Sequence, residues 1–247
     1  MTYVELFSGH AEQYAAARPG YPDALFDWLA AVTPRHELAW DCATGSGQAA
    51  LGLARRFTHV IATDASAAQL AHATPHPRIT YRQAPAETSG LESGIADLVA
   101  VAQALHWLDL EPFFEEAKRV LVPGGVLAAW TYNLPRIAPP IDAEVDRLHD
   151  GVLANYWSGR RKLVDEGYAS IELPLEPIEV PEFEMHSEWT LAQFTAYVRT
   201  WSAVQRYKTE RGDDPVDAME SALQPLWGER HSTRAVRWPV TVLASRK

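Results

Sequence analysis

From residue 38 onward, short and continuous apolar runs alternate with helix-like stretches, and this alternation restricts the fold more than any other feature. Strands are expected at 38–41, 59–63, 79–82, 97–102 and 125–130, with helices at 48–57, 67–74 and 111–120 between them. Strand–helix alternation of this kind builds a parallel sheet with helices on both faces. Continuously apolar strands agree with burial on both sides. Before this region, residues 8–18 and 22–32 read as two helices, with Pro22 suited to a first helical turn. After it, 141–157 reads as helical and 171–185 as β-rich. Thr190 and Gln193 have the spacing of a capping box that opens another helix. A last strand is expected at 235–244, where Pro239 favours an edge position or a bulge.

At 247 residues the chain suits one elaborated α/β domain. Its expected parts are an N-terminal helical cap (1–35), a core (36–133), an insertion with helices on the substrate side (134–232) and the final strand (233–247). The balance of 22 Lys and Arg against 32 Asp and Glu gives a formal charge of −10, so no nucleic-acid partner is expected. Cys42 is the single cysteine, which excludes an intramolecular disulfide. It reads as a small buried residue. The nine histidines form no close ligand pattern, so no metal is expected. There is neither a signal-like N-terminus nor an apolar run of membrane-spanning length. The expectation is a cytoplasmic protein away from membranes, and nothing in the sequence fixes its oligomeric state.

The segment Asp41-Cys-Ala-Thr-Gly45-Ser-Gly47 joins the first strand to the first core helix. Gly45 and Gly47 let the backbone turn tightly and approach a ligand, and the helix start offers free N–H groups. Asp64 ends the second strand, 19 residues after Gly45, where a carboxylate can accept from ribose hydroxyls. Two cofactor classes suit this layout. Gly45-x-Gly47-x-x-Ala50 satisfies the dinucleotide pattern, which makes an NAD(P)-dependent oxidoreductase one reading. S-adenosylmethionine, whose amino-acid end would lie against the loop, is the other.

The surrounding residues separate the two. Trp40-Asp-Cys-Ala-Thr-Gly-Ser-Gly-Gln48 resembles the first motif of class I S-adenosylmethionine-dependent methyltransferases, with Ala43 where a first glycine is usual. That alanine must keep φ below zero or carry strain. Val60–Ser66, Ala84–Glu87, Ala96–Trp107 and Arg119–Leu127 resemble later segments of the same family, in order, across residues 38–130. Gln103–Trp107 and Arg199–Tyr207 resemble the methyltransferase type 11 group, to which trans-aconitate-type small-molecule enzymes are similar. The resemblance implies a Rossmann-like, mostly parallel, seven-stranded sheet and S-adenosylmethionine as cofactor. It further implies SN2 methyl transfer to a small molecule, a carboxylate being one acceptor that needs no base. A non-catalytic S-adenosylmethionine-binding protein is the remaining alternative.

The cofactor-binding residues so implied are Asp41, Ala43, Thr44, Gly45, Gly47, Asp64, Ala65, Ala86, Glu87 and Gln103, with Tyr14 and Arg18 from the N-terminal cap. His106, just past the fourth strand, is the candidate catalytic base, because an imidazole titrates near neutrality. Trp189, Trp201, Arg206 and Tyr207 are candidates for the substrate side, as is Arg199, although aromatic residues at helical spacing also build cores.

Overall fold

A computed structural model of the chain describes residues 19–229 and 231–247. Helix α1 (Asp23–Val32) starts at Pro22, which sits just outside as the extended N-cap. The core then runs β1 (Leu38–Cys42), α2 (Gln48–Leu53), β2 (His59–Asp64), α3 (Ala67–Leu70), β3 (Ile79–Gln83), β4 (Ala96–Ala102), α4 (Leu110–Val120) and β5 (Leu121–Tyr132). Next come α5 (Pro139–Asp146), a π-helical turn (Arg147–Val152) and α6 (Arg161–Asp165). The chain finishes with β6 (Glu176–Pro177), β7 (Phe183–Trp189), α7 (Leu191–Arg199), α8 (Ser202–Arg211), α9 (Pro215–Trp227) and β8 (Arg234–Arg246). The expected capping box at Thr190 and Gln193 is formed.

The sheet order is β3-β2-β1-β4-β5-β8-β6, with β7 also paired to β8. The first five strands are parallel and β8 is antiparallel to its neighbours. Eight strands stand where seven were expected because one edge strand is interrupted. Pro177 pairs with Ser245 and Phe183 with Val240, so the five residues 178–182 lie opposite the four residues 241–244. The extra residue falls between Ile178, whose N–H still donates to the Ala244 carbonyl, and Phe183, and it splits the seventh position of the sheet into β6 and β7. β8 is therefore an interior strand. Pro239 is accommodated because the β5 ladder ends at Tyr132 opposite Val240 and contact resumes only at Arg136, which exchanges hydrogen bonds with Arg237. The missing N–H faces that gap.

Side chains alternate across the sheet into two cores. Ala39, Leu98, Ala100, Val126 and Ala128 face one, closed by α1, α2 and the helices after residue 190. Trp40, Val99, Val101, Leu127 and Ala129 face the other, closed by α4 and by Val164, Tyr168 and Ile171. Among the described residues no helix is long and apolar enough to cross a membrane.

Candidate functional site

The loop after β1 is built on left-handed backbone. Ala43, Gly45 and Gly47 have φ of 55°, 58° and 86°. Ala43 thus takes the strained alternative, which costs an L residue about 1–2 kcal/mol. Gly47 has a second reason to lack a side chain: a Cβ there would lie 2.4 Å from Tyr81 Oη. The loop is pinned from beneath. Gly45 N–H donates to Asp64 Oδ2 and Ser66 N–H to Asp64 Oδ1, both at 2.8 Å. Thr44 N–H donates to the Thr63 carbonyl at 2.9 Å, and the Thr44 hydroxyl donates to Asp41 Oδ2 at 2.5 Å.

The two carboxylates differ in what remains to them. Asp64 is 1% exposed, and each of its oxygens has capacity for a second hydrogen bond. Burial raises its pKa. Asp41 is fully buried, and burial pushes its carboxyl up to about 7, against opposing hydrogen bonds from the Thr44 hydroxyl and the Ala50 backbone. Its Oδ1 has no hydrogen bond of full geometry among the described residues, so the Ala50 contact is a loose one.

Ala43, Thr44, Gly45 and Gln103 line one cleft of about 580 Å³, together with Tyr21 and Gln69. Asp41, Gly47 and Asp64 lie behind this lining as the supports of the loop. Ala65 is exposed just past β2. Ala86 is buried in the second core, and Glu87 accepts from Asp109 N–H at the start of α4. Tyr14 and Arg18 lie outside the described residues.

His106 lies on a different cleft, of about 680 Å³. Gln103, Trp107 and Tyr132 line both clefts, so the two meet there. His106 Nδ1 is 2.9 Å from the Tyr168 hydroxyl. Burial, then Arg161 and Arg160, hold the imidazole down at about 3. The ring is therefore neutral at physiological pH and a weaker base than an unperturbed histidine.

The same cleft is walled by Trp157, Tyr197 and Trp201, with Arg161 at its side. Arg161 lies between Asp165 at 2.7 Å and Asn133 Oδ1 at 3.2 Å, over the Trp157 ring at 4.7 Å. Of the aromatic candidates, Trp201 lines the cleft, whereas Trp189 packs on Tyr197 and Trp238, and Tyr207 on Tyr156. Arg199 is turned elsewhere, ion-paired to Asp214, Asp217 and Glu220. Sequence reasoning missed Trp157, Arg161 and Tyr168. The signal available for Tyr168 was weak: Gly167 precedes it, and both take positive φ.

A profile of the methyltransferase domain family matches residues 40–129, which include the glycine loop, Gln103 and His106. A Dictyostelium discoideum protein provisionally named a methyltransferase is 29% identical over 99% of this chain and 96% of its own length. CRG1 of Saccharomyces cerevisiae, named a probable S-adenosylmethionine-dependent methyltransferase, is 26% identical over 82% of each chain. A solved structure from Anaeromyxobacter dehalogenans, provisionally named a type II methyltransferase, is 44% identical. It superposes with a TM-score of 0.88 over 93% of this chain and 97% of that one. The nicotinamide reading of the glycine loop finds no such support. Similarity at this level, over nearly the whole of both chains, identifies the family: the chain belongs to the class I S-adenosylmethionine-dependent methyltransferases, and S-adenosylmethionine is its cofactor.

Proposed function

We propose that the methyl group is delivered to a small molecule held in the cleft beside His106. The observation that carries this reading is the shared wall of Gln103, Trp107 and Tyr132 between the two clefts. When bound, S-adenosylmethionine supplies a methyl group already activated by its sulfonium. The protein's part is to hold the partners in line and to exclude water.

In this reading Ala43, Thr44, Gly45 and Gly47 form the cradle. Asp41 offers its Oδ1 to the cofactor's ammonium, a fit of charge and hydrogen bonding. Asp64 fixes the loop and uses its remaining lone pairs for ribose hydroxyls. Ala65, Ala86 and Glu87 flank the nucleoside, with the Ala86 N–H toward the adenine. Gln103 presents its backbone at the partition, and Tyr14 and Arg18 belong to the cap over the cofactor. His106 faces the acceptor.

Calorimetric titration with S-adenosylmethionine and S-adenosylhomocysteine, with NADH and NADPH as controls, tests the cofactor site. A screen of small acids, phenols, alcohols and amines, read as S-adenosylhomocysteine formed, tests the acceptor. Binding without turnover on any of them, together with methylation of a protein or nucleic acid, would refute the small-molecule reading.

A further inference from the structure

Charge is unevenly placed around the cleft beside His106. Among the described residues that line it, Arg161 is the one ionised side chain: no aspartate, glutamate or lysine shares the wall, and His106 is neutral. The depressed imidazole reports the same field, because after burial Arg161 and then Arg160 lower it and no carboxylate acts against them. Asp165, the ion-pair partner of Arg161, sits one turn along α6 and is not part of the lining.

The Arg161 guanidinium is held in place with donors to spare. Nε donates to Asp165 Oδ1 at 2.7 Å and Nη2 to Asn133 Oδ1 at 3.2 Å. The Asn133 amide is itself oriented: Nδ2 donates to the Asp165 carbonyl at 3.0 Å, and Oδ1 also accepts from Leu134 N–H at 2.8 Å. The guanidinium carbon lies 4.7 Å from the centre of the Trp157 ring. Trp157 is tied down in turn, with Nε1 donating to the His149 carbonyl at 3.1 Å and its ring 4.6 Å from that of His149. A guanidinium carries five N–H donors. These contacts take one from Nε and one from Nη2, and Nη1 has no partner among the described residues. Arg160 differs: its Nη1 donates to the carbonyls of His106, Trp107 and Leu108, and it does not line the cleft.

We infer that Arg161 determines acceptor specificity, and that the small molecule bound in this cleft carries a carboxylate that accepts from Arg161 Nη1. This rests on the reading that the cleft beside His106 holds the methyl acceptor. A planar fork already fixed by Asp165, Asn133 and Trp157 loses little freedom when it takes an anion, so more of the charge-assisted hydrogen bond appears as affinity. A protonated amine would face the same guanidinium with no acidic side chain in the wall to pair with it. An uncharged molecule of the same shape would leave Nη1 without its anion.

The test compares an acid with its own uncharged amide. Full-length protein saturated with S-adenosylhomocysteine is titrated calorimetrically with 4-hydroxybenzoate, cinnamate and succinate, each beside the matching primary amide. The expected result is binding of at least one acid, about 10–100-fold tighter than its amide. Arg161→Met should abolish that preference and leave S-adenosylhomocysteine affinity unchanged. Arg161→Lys, a point charge without the planar fork, should keep part of it. The preference in the parent needs no variant and stays decisive if Arg161→Met does not fold. Amides that bind as tightly as the acids, no binding by any of the acids, or a preference that survives Arg161→Met overturns the inference. Equal binding of acid and amide alongside methyl transfer to some other small molecule marks failure of this inference alone. No small-molecule turnover, with methylation of a protein or nucleic acid instead, marks failure of the function proposed above.

Discussion

Asp41 is the residue through which pH should act on this enzyme. Its carboxyl is raised from 3.8 to about 7, first by burial, and Oδ1 has no hydrogen bond of full geometry among the described residues. One pKa unit is worth about 1.4 kcal/mol, so the shift corresponds to about 4 kcal/mol. The sign follows from which form folding favours. The protonated carboxyl is preferred in the folded state, so the contribution is fully present below about pH 4 and is lost as pH rises through about 7. At pH 8 the cofactor-free protein therefore holds an ionised carboxylate in a dry site. Asp41→Asn removes that charge, and the amide oxygen can still accept from Thr44. The amide N–H₂ left without an acceptor costs about 1–3 kcal/mol, so the net gain at pH 8 is about 1–3 kcal/mol. Cofactor binding should run the other way. An ammonium on Oδ1 requires the ionised form, so apparent affinity should fall by up to about tenfold per unit as pH drops below 7. Calorimetry from pH 5.5 to 7.5, in buffers of different ionisation enthalpy, would count the proton released on binding. Asp41→Asn should bind more weakly and lose the pH dependence. Equal affinity of the parent across that range, with no proton released, would refute the reasoning.

Other expectations follow from single contacts. Gly47→Ala meets both the positive φ and Tyr81 Oη at 2.4 Å. It should cost about 1–3 kcal/mol in urea unfolding, partly recovered by adding Tyr81→Phe. The Arg119 guanidinium holds Glu116 down at about 2, with Ser89 adding hydrogen bonds. This support is complete above pH 4.5 and is lost as pH falls through about 2. The Glu116 side chain is 10% exposed but its Arg119 partner is 39% exposed, so solvent screening reduces the worth of the pair. Glu116→Gln should cost about 1–2 kcal/mol near neutrality and flatten the acid limb of the thermal stability profile. Arg199→Met removes the cation shared by Asp214, Asp217 and Glu220, with the arginine 31% exposed. A loss of about 2 kcal/mol is expected, between the limits for exposed and buried pairs. The acceptor KM should be unchanged, and a tenfold rise would place Arg199 at the substrate.

The strands and the glycine loop could be read from the sequence because each is dictated locally. A strand covered on both faces must be apolar at consecutive positions, as Ala39–Trp40 and Leu98–Val101 are, whichever core each residue enters. Gly45 and Gly47 announce left-handed backbone by their type. Ala43 and Gln103 adopt the same conformation without announcing it, because Thr44, Asp41, Thr131 and Tyr132 impose it from outside. The interrupted edge strand was invisible for a similar reason: its bulge is set by registration against β8, about sixty residues away. The acceptor cleft draws on positions from Gln103 to Ser202, and its tryptophans look like core residues at helical spacing. Only when α6 docks its guanidinium and its following tyrosine against the exit of β4 do Arg160, Arg161 and Tyr168 acquire a common neighbour in His106. That docking also changes the chemistry assigned to the histidine. A histidine seen in sequence is naturally taken as a base titrating near neutrality. The same ring, buried beside two arginines and hydrogen-bonded to a phenol, stays neutral near pH 7.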